Sequence, residues 1–343
     1  MTLPPEVIEA YPGITVEPAP WGIGLINLTR RGQLDGKTVI VQRVHPAFAA
    51  SVHEDIEAVT AHLARKGLVT PRLVRTRSDA LSVSDVEGRP WRVLTFVAGK
   101  STDRVSDSSH AERAGAVVGR FHAALADLEH TYVHVRQGVH DLPFRMRGLG
   151  RALDANAGHR LHTEVARLAE AVLGSESELV GLGCSAHRHA HGDLKISNLL
   201  FDESGEGVTL VDLDTLARMP WPFEIGDALR SWCNPHGEDV EAPAIDEAIF
   251  EAALHGWARG AAGGLALDQT ERELVPAGVF TIAAELAMRF LTDALEESYF
   301  GWDPRRFPSR GEHNLARARG QWALARSVRA ARSRLEAAAR RAL

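Results

Sequence analysis

The chain has 343 residues, 45% of them hydrophobic and 24% charged, which is enough for a large core in one or two domains. Its formal net charge is −6, which argues against a general nucleic-acid-binding surface. It has two cysteines, no signal-peptide pattern and no apolar run long enough to span a bilayer, so we expect a cytoplasmic protein with no disulfide framework.

The first 97 residues read mainly as strands around one helix. A Gly-x-Gly turn at Gly22 and Gly24, followed by Asn27, lies between extended segments, and alone it is weak evidence for phosphate binding. The next predicted strand ends with Gln42 and Arg43. Because neighbouring strand residues point to opposite faces, only one of these two could enter a site.

A helix is predicted over residues 51–66, where apolar residues recur at helical spacing. Residues 81–86 and 91–97 predict a hairpin, and a short polar connection follows it.

Helices dominate from residue 108 onward. A polar loop that contains His140 and Asp141 follows the first of them and could face a cleft. A helix is also predicted to open near Glu224, with Asp227 and Arg230 inside it. The remaining predicted helices cover residues 110–128, 151–173, 243–262, 270–299 and 312–341.

The densest set of chemically useful side chains lies between residues 187 and 215. Asp193, Lys195 and Asn198 precede a short apolar run, and a second apolar run after a glycine-containing turn delivers Asp212. Two short strands joined by such a turn form a hairpin, so we expect these four residues to surround one small volume.

These four residue types suit phosphoryl transfer, which needs a base for a hydroxyl group, oxygen ligands for magnesium and a cation for phosphate. We predict Asp193 and Lys195 as the catalytic residues, the carboxylate accepting the proton and the ammonium neutralising the phosphoryl group. Asn198 and Asp212 are predicted as metal ligands, and Asp214 either joins them or lies behind them.

The run His-Gly-Asp-Leu-Lys-x-x-Asn that begins at His191, followed by Asp212, resembles the catalytic and metal-binding loops of the protein-kinase-like superfamily. Gly192, together with Leu213 and Asp214, resembles the aminoglycoside phosphotransferase branch, whose members phosphorylate small molecules. The resemblance implies ATP and magnesium as cofactors.

The same resemblance implies an α+β, two-lobed protein-kinase-like fold. A small antiparallel-sheet lobe that binds the nucleotide would cover residues 1–97 and a hinge residues 98–101. A larger, mainly helical lobe that carries the catalytic and substrate-binding residues would cover residues 102–343.

In kinases of this type three features bind the nucleotide. They are a glycine-rich loop, a cation on a strand that pairs with a carboxylate on a helix, and the backbone of the hinge. The resemblance therefore assigns nucleotide contacts to Gly22, Gly24 and Asn27 in the loop, to Arg43 as the cation with Gln42 as the alternative, to Glu54 as its partner with Asp55 and Glu57 as alternatives, and to Phe96, Val97 and Ala98 in the hinge.

Several distant segments, taken in their order, resemble the N-acetylhexosamine 1-kinases and their relatives. They include residues 211–215, 225–230, 289–293 and 313–319, and the resemblance implies transfer to the anomeric hydroxyl of a sugar. Two positions depart from that branch: Leu25 stands where it usually has His, and Gly192 where it usually has Asn.

Eight polar residues of the helical region are our predicted acceptor contacts: His140, Asp141, Asp227, Arg230, Arg289, His313, Asn314 and Arg317. Asp227 has a second interpretation, as a helix cap or as a brace that accepts backbone N–H groups of the 191–198 loop.

The segment from Arg310 to Leu343 contains nine arginines against two glutamates, so we expect it to repel a cationic acceptor. We therefore predict a kinase acting on a hexose or N-acetylhexosamine, with a neutral or N-acylated monosaccharide as acceptor. An aminoglycoside-type antibiotic phosphotransferase is the alternative, followed by a nucleotide-binding pseudokinase.

Overall fold

The computed structural model describes residues 3–21, 27–135, 138–234, 237 and 243–343. The glycines predicted to cradle phosphate, Gly22 and Gly24, and the departing Leu25 lie outside the described residues.

An antiparallel sheet occupies the N-terminal part of the chain, and its turn residues explain its tightest hairpin. Its strands are β1 (Thr15–Val16), β2 (Leu28–Leu34), β3 (Lys37–Arg43), β4 (Leu73–Val74), β5 (Val83–Ser84) and β6 (Pro90–Thr95). The strand order is β1-β2-β3-β6-β4, with β5 paired to β6. Asp35 and Gly36 join β2 to β3, both with positive φ, as a two-residue hairpin turn requires.

Ten α-helices lie in the described part of the chain, and most of them follow the sheet. They are α1 (Pro5–Ala10), α2 (Val52–Arg65), α3 (Ser108–Leu125), α4 (Leu142–Ala155), α5 (His162–Leu173), α6 (Trp221–Trp232), α7 (Glu247–Ala261), α8 (Gln269–Glu273), α9 (Val275–Glu296) and α10 (Arg310–Ala342). An antiparallel sheet followed by many helices agrees with the predicted α+β class.

Four short strands between α5 and α6 carry the segment that the sequence singles out. They are β7 (His187–Ala190), β8 (Leu199–Phe201), β9 (Gly207–Leu210) and β10 (Ala217–Pro220). β8 pairs with β9, which confirms the predicted hairpin, and β7 pairs with β10. Lys100, just after the sheet, exchanges two backbone hydrogen bonds with Phe201, of 2.8 and 2.9 Å.

The first face of the sheet packs against α1. Directly opposite residues of an antiparallel pair share a face, and Arg43 lies opposite Trp91. Trp91 belongs to a buried cluster with Val7 and Tyr11 from α1 and its C-terminal end. Arg43 therefore lies on the face that α1 covers.

The second face of the sheet turns toward α2. Gln42 lies opposite Arg92, and Leu94 follows on the same face. Leu94 packs against the large core to which Ile56 and Leu63 of α2 belong. Gln42 and Arg92 therefore share the side of the sheet that faces α2.

Two predicted helices are interrupted in the structure. The helix predicted over 151–173 is wrong: α4 ends at Ala155, where the backbone N–H and the side-chain amide of Asn156 both donate to the Ala152 carbonyl. The helix predicted over 270–299 is divided between α8 and α9, since Pro276 has no N–H to continue α8 and suits the first turn of α9.

The long helix α9 is the centre of the helical core. By length and composition it is apolar enough to cross a membrane, but 78% of its apolar window is buried inside the protein. It meets α6 where Gly226 faces Gly278, and a Cβ on Gly226 would come within 2.8 Å of the Gly278 backbone. Two glycines at the crossing therefore let α6 and α9 approach closely.

Candidate active site

The predicted polar residues of the 191–198 loop are in direct contact. Lys195 donates from Nζ to Oδ2 of Asp193 at 2.9 Å, and Nδ2 of Asn198 donates to the same oxygen at 3.1 Å. Asn198 also donates to the Asp193 carbonyl at 2.9 Å, while its own carbonyl accepts from Val211 N. This last bond joins the residue before β8 to the residue after β9, so Asn198 and Asp212 lie close together.

The charges around Asp193 favour its ionised form. Burial by itself would raise the pKa of Asp193, but the charges of Lys195, His191 and Arg230 lower it below its ordinary value. The pKa of Lys195 is raised, because the attraction of Asp193 outweighs the effect of burial. Both groups are therefore charged at neutral pH, and among the described residues no donor is assigned to Oδ1 of Asp193.

Asp212 stands in a strained and electrostatically crowded position. Its φ of +64° lies in the left-handed region, which non-glycine residues adopt rarely and mostly at functional sites. Burial, and then the nearby carboxylates of Asp214 and Asp193, raise the pKa of Asp212 above its usual value. The half-buried side chain has no hydrogen-bond donor assigned among the described residues. A cation beside it would relieve this repulsion.

The donor set at this point fits a magnesium ion bound together with nucleotide phosphates. Asn198 uses its Nδ2 toward Asp193, which leaves its Oδ1 as an oxygen ligand. Mg²⁺ commonly takes one or two protein carboxylates and completes its shell with phosphates and water. In the described chain no cluster of three or more His, Cys, Asp or Glu side chains could hold a metal ion by itself.

Asp214 is already saturated by protein donors. Arg92 donates both terminal nitrogens to its two oxygens, with Nη2 to Oδ2 at 2.9 Å, and Asn27 donates to Oδ2 at 2.6 Å. Arg92 also donates from Nε to Oε1 of Gln42 at 2.9 Å. Of the two roles predicted for Asp214, the position behind the metal ligands is the one that this geometry matches.

The cation that faces this site comes from β6, so two sequence-based assignments need correction. Arg43 lies on the α1 face of the sheet, whereas Gln42 and Arg92 lie on the site's side. Asn27, predicted to contact the nucleotide, is buried and joins the His45 amide to Asp214. Arg92 could have been noticed as a charged residue inside the apolar run of β6.

The carboxylates of α2 do not pair with a strand cation as predicted. Glu54 is exposed, and Glu57 forms ion pairs with Arg72 and Arg75 at 3.5 and 3.3 Å. Asp55 is buried and turns away from the sheet toward the segment after α3, as described below.

Helix α2 also carries a histidine, His53, that the charges of Arg92 and Asp214 affect. His53 is 1% exposed, and its Nδ1 is 2.7 Å from the Ala50 carbonyl. Burial, followed by the charge of Arg92, lowers the pKa of His53 to about 4. A neutral imidazole therefore fills the position beside the ion pair.

Asp55 ties α2 to the segment that follows α3. Its Oδ1 accepts from the Val133 amide at 3.0 Å and lies 2.7 Å from Nε2 of His130, and its Oδ2 accepts from the His134 amide at 2.9 Å. Because its buried carboxylate makes three contacts with this segment, the role of Asp55 is structural.

The predicted hinge backbone is available for a ligand. β6 ends at Thr95, and no backbone hydrogen bond is assigned to Phe96, Val97 or Ala98 among the described residues. Phe96 packs edge-to-face on Trp21 with a centroid distance of 6.2 Å, and the guanidinium of Arg31 lies over both rings.

A glutamate that the sequence analysis did not select holds the 191–198 loop. Glu224, 1% exposed at the start of α6, accepts from the amides of His191 and Gly192 at 2.7 and 3.0 Å. Burial would raise the pKa of Glu224, but the hydrogen bond from His122 helps to lower it below its usual value. A carboxylate within the apolar start of α6 was the available signal.

Asp227 adopts its second predicted role. Its Oδ2 accepts from the Leu194 amide at 3.0 Å, and its Oδ1 accepts from Arg230 at 3.0 Å. Trp232 adds a hydrogen bond from Nε1 to the Leu194 carbonyl at 2.8 Å. Helix α6 thus fixes the loop around Asp193 by several bonds.

Gly192 meets a steric requirement of the same loop. Its φ is +78°, and a Cβ would lie 2.4 Å from the carbonyl oxygen of Thr215. The asparagine of the resembled branch would therefore be strained at this position.

Four predicted acceptor residues make structural contacts instead. Asp141 caps α4 by accepting from the Phe144 amide. His313 stacks on Phe307 at 4.1 Å and its Nδ1 accepts from the Asp303 amide. Asn314 is fully buried and donates to Asp293. Arg317 donates to the Gly301 carbonyl at 2.8 Å.

The basic residues of α10 are largely paired at the surface. Arg319 pairs with Glu164, Arg329 with Glu178, Arg332 with Glu336, Arg334 with Glu247 and Arg341 with Glu251. This pairing removes the basis for our expectation that α10 itself repels a cationic acceptor.

Two other predicted acceptor residues, His140 and Arg289, lie in one cluster. Nδ1 of His140 is 2.7 Å from Oε2 of the buried Glu285, and Nε of Arg145 is 3.4 Å from Oε1. Burial would raise the pKa of Glu285, but the charges of His140, Arg289 and Arg145 lower it.

Comparisons with known proteins agree with this arrangement. The family model of the phosphotransferase enzyme family (APH) matches residues 19–262. No curated protein matches the chain.

Solved structures of several small-molecule kinases share the fold. An amicoumacin kinase, solved with AMP-PNP, Ca²⁺ and its ligand, is 14% identical with a TM-score of 0.59, covering 91% of this chain and 90% of its own. A microcompartment-associated aminopropanol kinase is 15% identical with a TM-score of 0.60, covering 95% and 96%. An aminoglycoside phosphotransferase from Alicyclobacillus acidocaldarius is 16% identical with a TM-score of 0.56, covering 98% of both chains.

Proposed function

Because the chain belongs to the phosphotransferase enzyme family, we propose that it transfers the γ-phosphoryl group of ATP to a hydroxyl group of a small molecule. The observation that carries this proposal is the contact set of the 191–198 loop. An ionised carboxylate, one of whose oxygens has no donor among the described residues, stands beside a lysine, an asparagine and a crowded second carboxylate. An intact set of this kind argues against a pseudokinase.

In the proposed reaction Asp193 is the base. Its Oδ2 is held by Lys195 and Asn198, so Oδ1 is the oxygen that accepts the proton of the acceptor hydroxyl. The acceptor oxygen bonds to the γ-phosphorus as the bond to the β-phosphate bridging oxygen breaks, and ADP leaves. Lys195 contributes positive charge to the transferred group.

Asn198 and Asp212 would hold Mg²⁺ through Oδ1 and a carboxylate oxygen. The bound ion would supply charge neutralisation for the phosphate oxygens. Asp214, which is held by Arg92 and Asn27, would lie behind these ligands and not bind the ion.

For the lobes we keep the sequence-based division as a proposal. We propose that residues 1–97, with the sheet and α2, bind the nucleotide, that residues 98–101 form the hinge, and that residues 102–343 bind the acceptor. The backbone of Phe96, Val97 and Ala98 has no hydrogen bond to the described residues, and this supports adenine binding next to the hinge.

For the acceptor, a sugar hydroxyl is our first candidate, specifically the anomeric hydroxyl of a hexose or N-acetylhexosamine. It rests on the sequence resemblance, since the charge of α10 no longer supports it. An antibiotic phosphotransferase is the second candidate, and the shared fold with amicoumacin kinase and aminoglycoside phosphotransferase favours it.

The test is ATP turnover in the presence of Mg²⁺ with hexoses, hexosamines, N-acetylhexosamines and aminoglycosides, with the phosphorylated position identified by phosphorus NMR. Turnover of a sugar at its anomeric position supports the first candidate. Turnover confined to antibiotics rejects it, and absence of phosphoryl transfer to every hydroxyl compound rejects the proposal as a whole.

A further inference from the structure

The cluster around Glu285 contains more positive charge than its one carboxylate balances. Arg145 and Arg289 are both half-buried; Nε of Arg145 is buried without a well-aligned hydrogen bond, and no hydrogen bond joins Arg289 to a residue that the structure describes. The 3.4 Å approach of Arg145 Nε to Glu285 is an ion pair without hydrogen-bond geometry. Glu285 is also occupied by His140 at 2.7 Å. Both arginines therefore act on Glu285 while keeping donors that it does not use.

The positive charge of Arg289 acts on Arg145 as well as on Glu285. Burial lowers the pKa of Arg145, and the neighbouring charge of Arg289 lowers it further. Glu285 carries one negative charge against the two positive charges of Arg145 and Arg289, so a second anion would be attracted here. Guanidinium donors match the oxygens of carboxylate and phosphate groups.

Aromatic rings border these arginines. The guanidinium of Arg145 lies 5.5 Å from the Phe144 ring, and that of Arg289 lies 5.2 Å from Phe300 and 6.0 Å from Tyr299. Phe144 and Tyr299 are 40% and 67% exposed, high values for large apolar side chains. Stacking on rings holds each guanidinium flat while its edge stays available for hydrogen bonds.

Helix α6 connects this cluster to the loop of Asp193. Phe223, Asp227 and Arg230 recur at i, i+4 and i+7 and so share one face of α6. At one end of that face Asp227 holds the Leu194 amide, and at the other the His140 ring lies 5.4 Å from Phe223. Asp227 and Phe223 are four residues apart, about 6 Å along the helix, so the His140 edge of the cluster is within reach of a small molecule bound at Asp193.

We propose that Arg145 and Arg289 bind an anionic group of the acceptor, a carboxylate or a phosphate. This inference rests on the proposed phosphotransferase function and narrows it: the acceptor is a hydroxyl compound with a negatively charged group at a distance from the reacting hydroxyl. Among sugars, acids and phosphates would be preferred to neutral sugars, and both to amino sugars. Cationic aminoglycosides would be disfavoured by these arginines rather than by α10.

The first test measures anion binding without catalysis. The protein saturated with Mg²⁺ and AMP-PNP, which fills the nucleotide phosphate positions, is titrated with sodium phosphate at constant ionic strength, and its melting temperature is followed. We expect phosphate to raise the melting temperature of the wild type and of the control Arg332→Gln, which changes an exposed arginine of α10. We expect no such rise in Arg289→Gln or Arg145→Met. No rise in the wild type, or an equal rise in Arg289→Gln, would overturn the inference.

The second test compares acceptors that differ mainly in charge: glucose, glucuronate, glucose 6-phosphate and glucosamine. We expect higher kcat/KM for whichever of the two anions fits, which also separates carboxylate from phosphate. The ratio of anionic to neutral kcat/KM should fall about 10- to 100-fold in Arg289→Gln and less in Arg289→Lys.

The outcomes separate the inference from the function on which it rests. Faster turnover of glucose than of both anions overturns the inference and leaves the phosphotransferase function standing. A phosphate-dependent rise in melting temperature without turnover of any hydroxyl compound supports the anion site and counts against the proposed function.

Discussion

The guanidinium of Arg92 on β6 donates hydrogen bonds to both carboxylate oxygens of Asp214, a residue 122 positions further along the chain. Both side chains are almost fully buried, with 2% and 1% of their area exposed. The pair joins the sheet to the end of the β8–β9 hairpin and keeps Asp214 behind Asp212.

Removal of Arg92 should therefore destabilise the protein strongly. Arg92→Met leaves the Asp214 carboxylate buried without its cation, and such changes cost about 3–5 kcal/mol. Urea unfolding should show this loss, while Arg332→Met, which breaks an exposed pair with Glu336, should stay within about 1 kcal/mol of wild type. The double variant Arg92→Met/Asp214→Leu should recover part of the loss. A cost below 1 kcal/mol for Arg92→Met would contradict the structural role.

Asp193 is predicted to be the base. Asp193→Asn keeps the shape of the side chain and one oxygen to accept from Lys195 and Asn198, but it cannot accept the proton, so kcat should fall by about 10²–10⁴. ATP affinity, measured by calorimetry, should stay near that of the wild type. Asp154→Asn, on an exposed position of α4, is the matched control. Near-normal turnover in Asp193→Asn would exclude this role.

Asp212 is predicted to hold magnesium together with Asn198. In Asp212→Ala the crowding with Asp193 and Asp214 disappears along with the ligand, so the protein should remain folded while the enhancement of AMP-PNP binding by Mg²⁺ is lost. Calorimetric titrations with and without Mg²⁺ measure that enhancement. If it persists unchanged, the metal is held elsewhere.

His53 should make stability depend on pH. Its pKa is lowered from 6.5 to about 4, so between these values the unfolded state binds a proton that the folded state does not. Its contribution is complete above pH 6.5 and is lost as the pH falls toward 4, by about 3 kcal/mol at most.

The His53 term can be isolated by comparing unfolding free energies of wild type and His53→Gln across this range. The difference in unfolding free energy between wild type and His53→Gln should become smaller toward low pH. The control His255→Gln, which changes an exposed histidine of α7, should show the same pH dependence as the wild type. A constant gap for His53→Gln would show that the imidazole is not held neutral.

The sequence predicted the 191–198 loop and the β8–β9 hairpin well because their chemistry is local. Contacts within six residues fix the positions of Asp193, Lys195 and Asn198. The turn between β8 and β9 determines the position of Asp212 after β9. The α+β class came from the family resemblance, and the strands and helices predicted from periodicity agree with it.

The contacts that the sequence did not reveal depend on register and on distant partners. Whether Gln42 or Arg43 enters the site is decided by how β3 pairs with β6, and the sequence left that choice open. Arg92 and Glu224 act over 122 and more than 30 positions, so only the assembled core identifies their partners. His313 and Asn314 were misassigned because buried polar residues that anchor a loop look, in sequence, like residues that bind a ligand.

The carboxylate of Asp55 has a mechanical consequence. Because it binds the amides of Val133 and His134, α2 is fastened to the helical part of the chain, although in sequence it lies among the strands. A motion that separates the sheet from the helical part of the chain should therefore shift the strands relative to α2, while α2 stays with the helical part. Hydrogen exchange would then be slow at the Val133 and His134 amides with or without AMP-PNP, and fast exchange in the free protein would show that α2 travels with the strands.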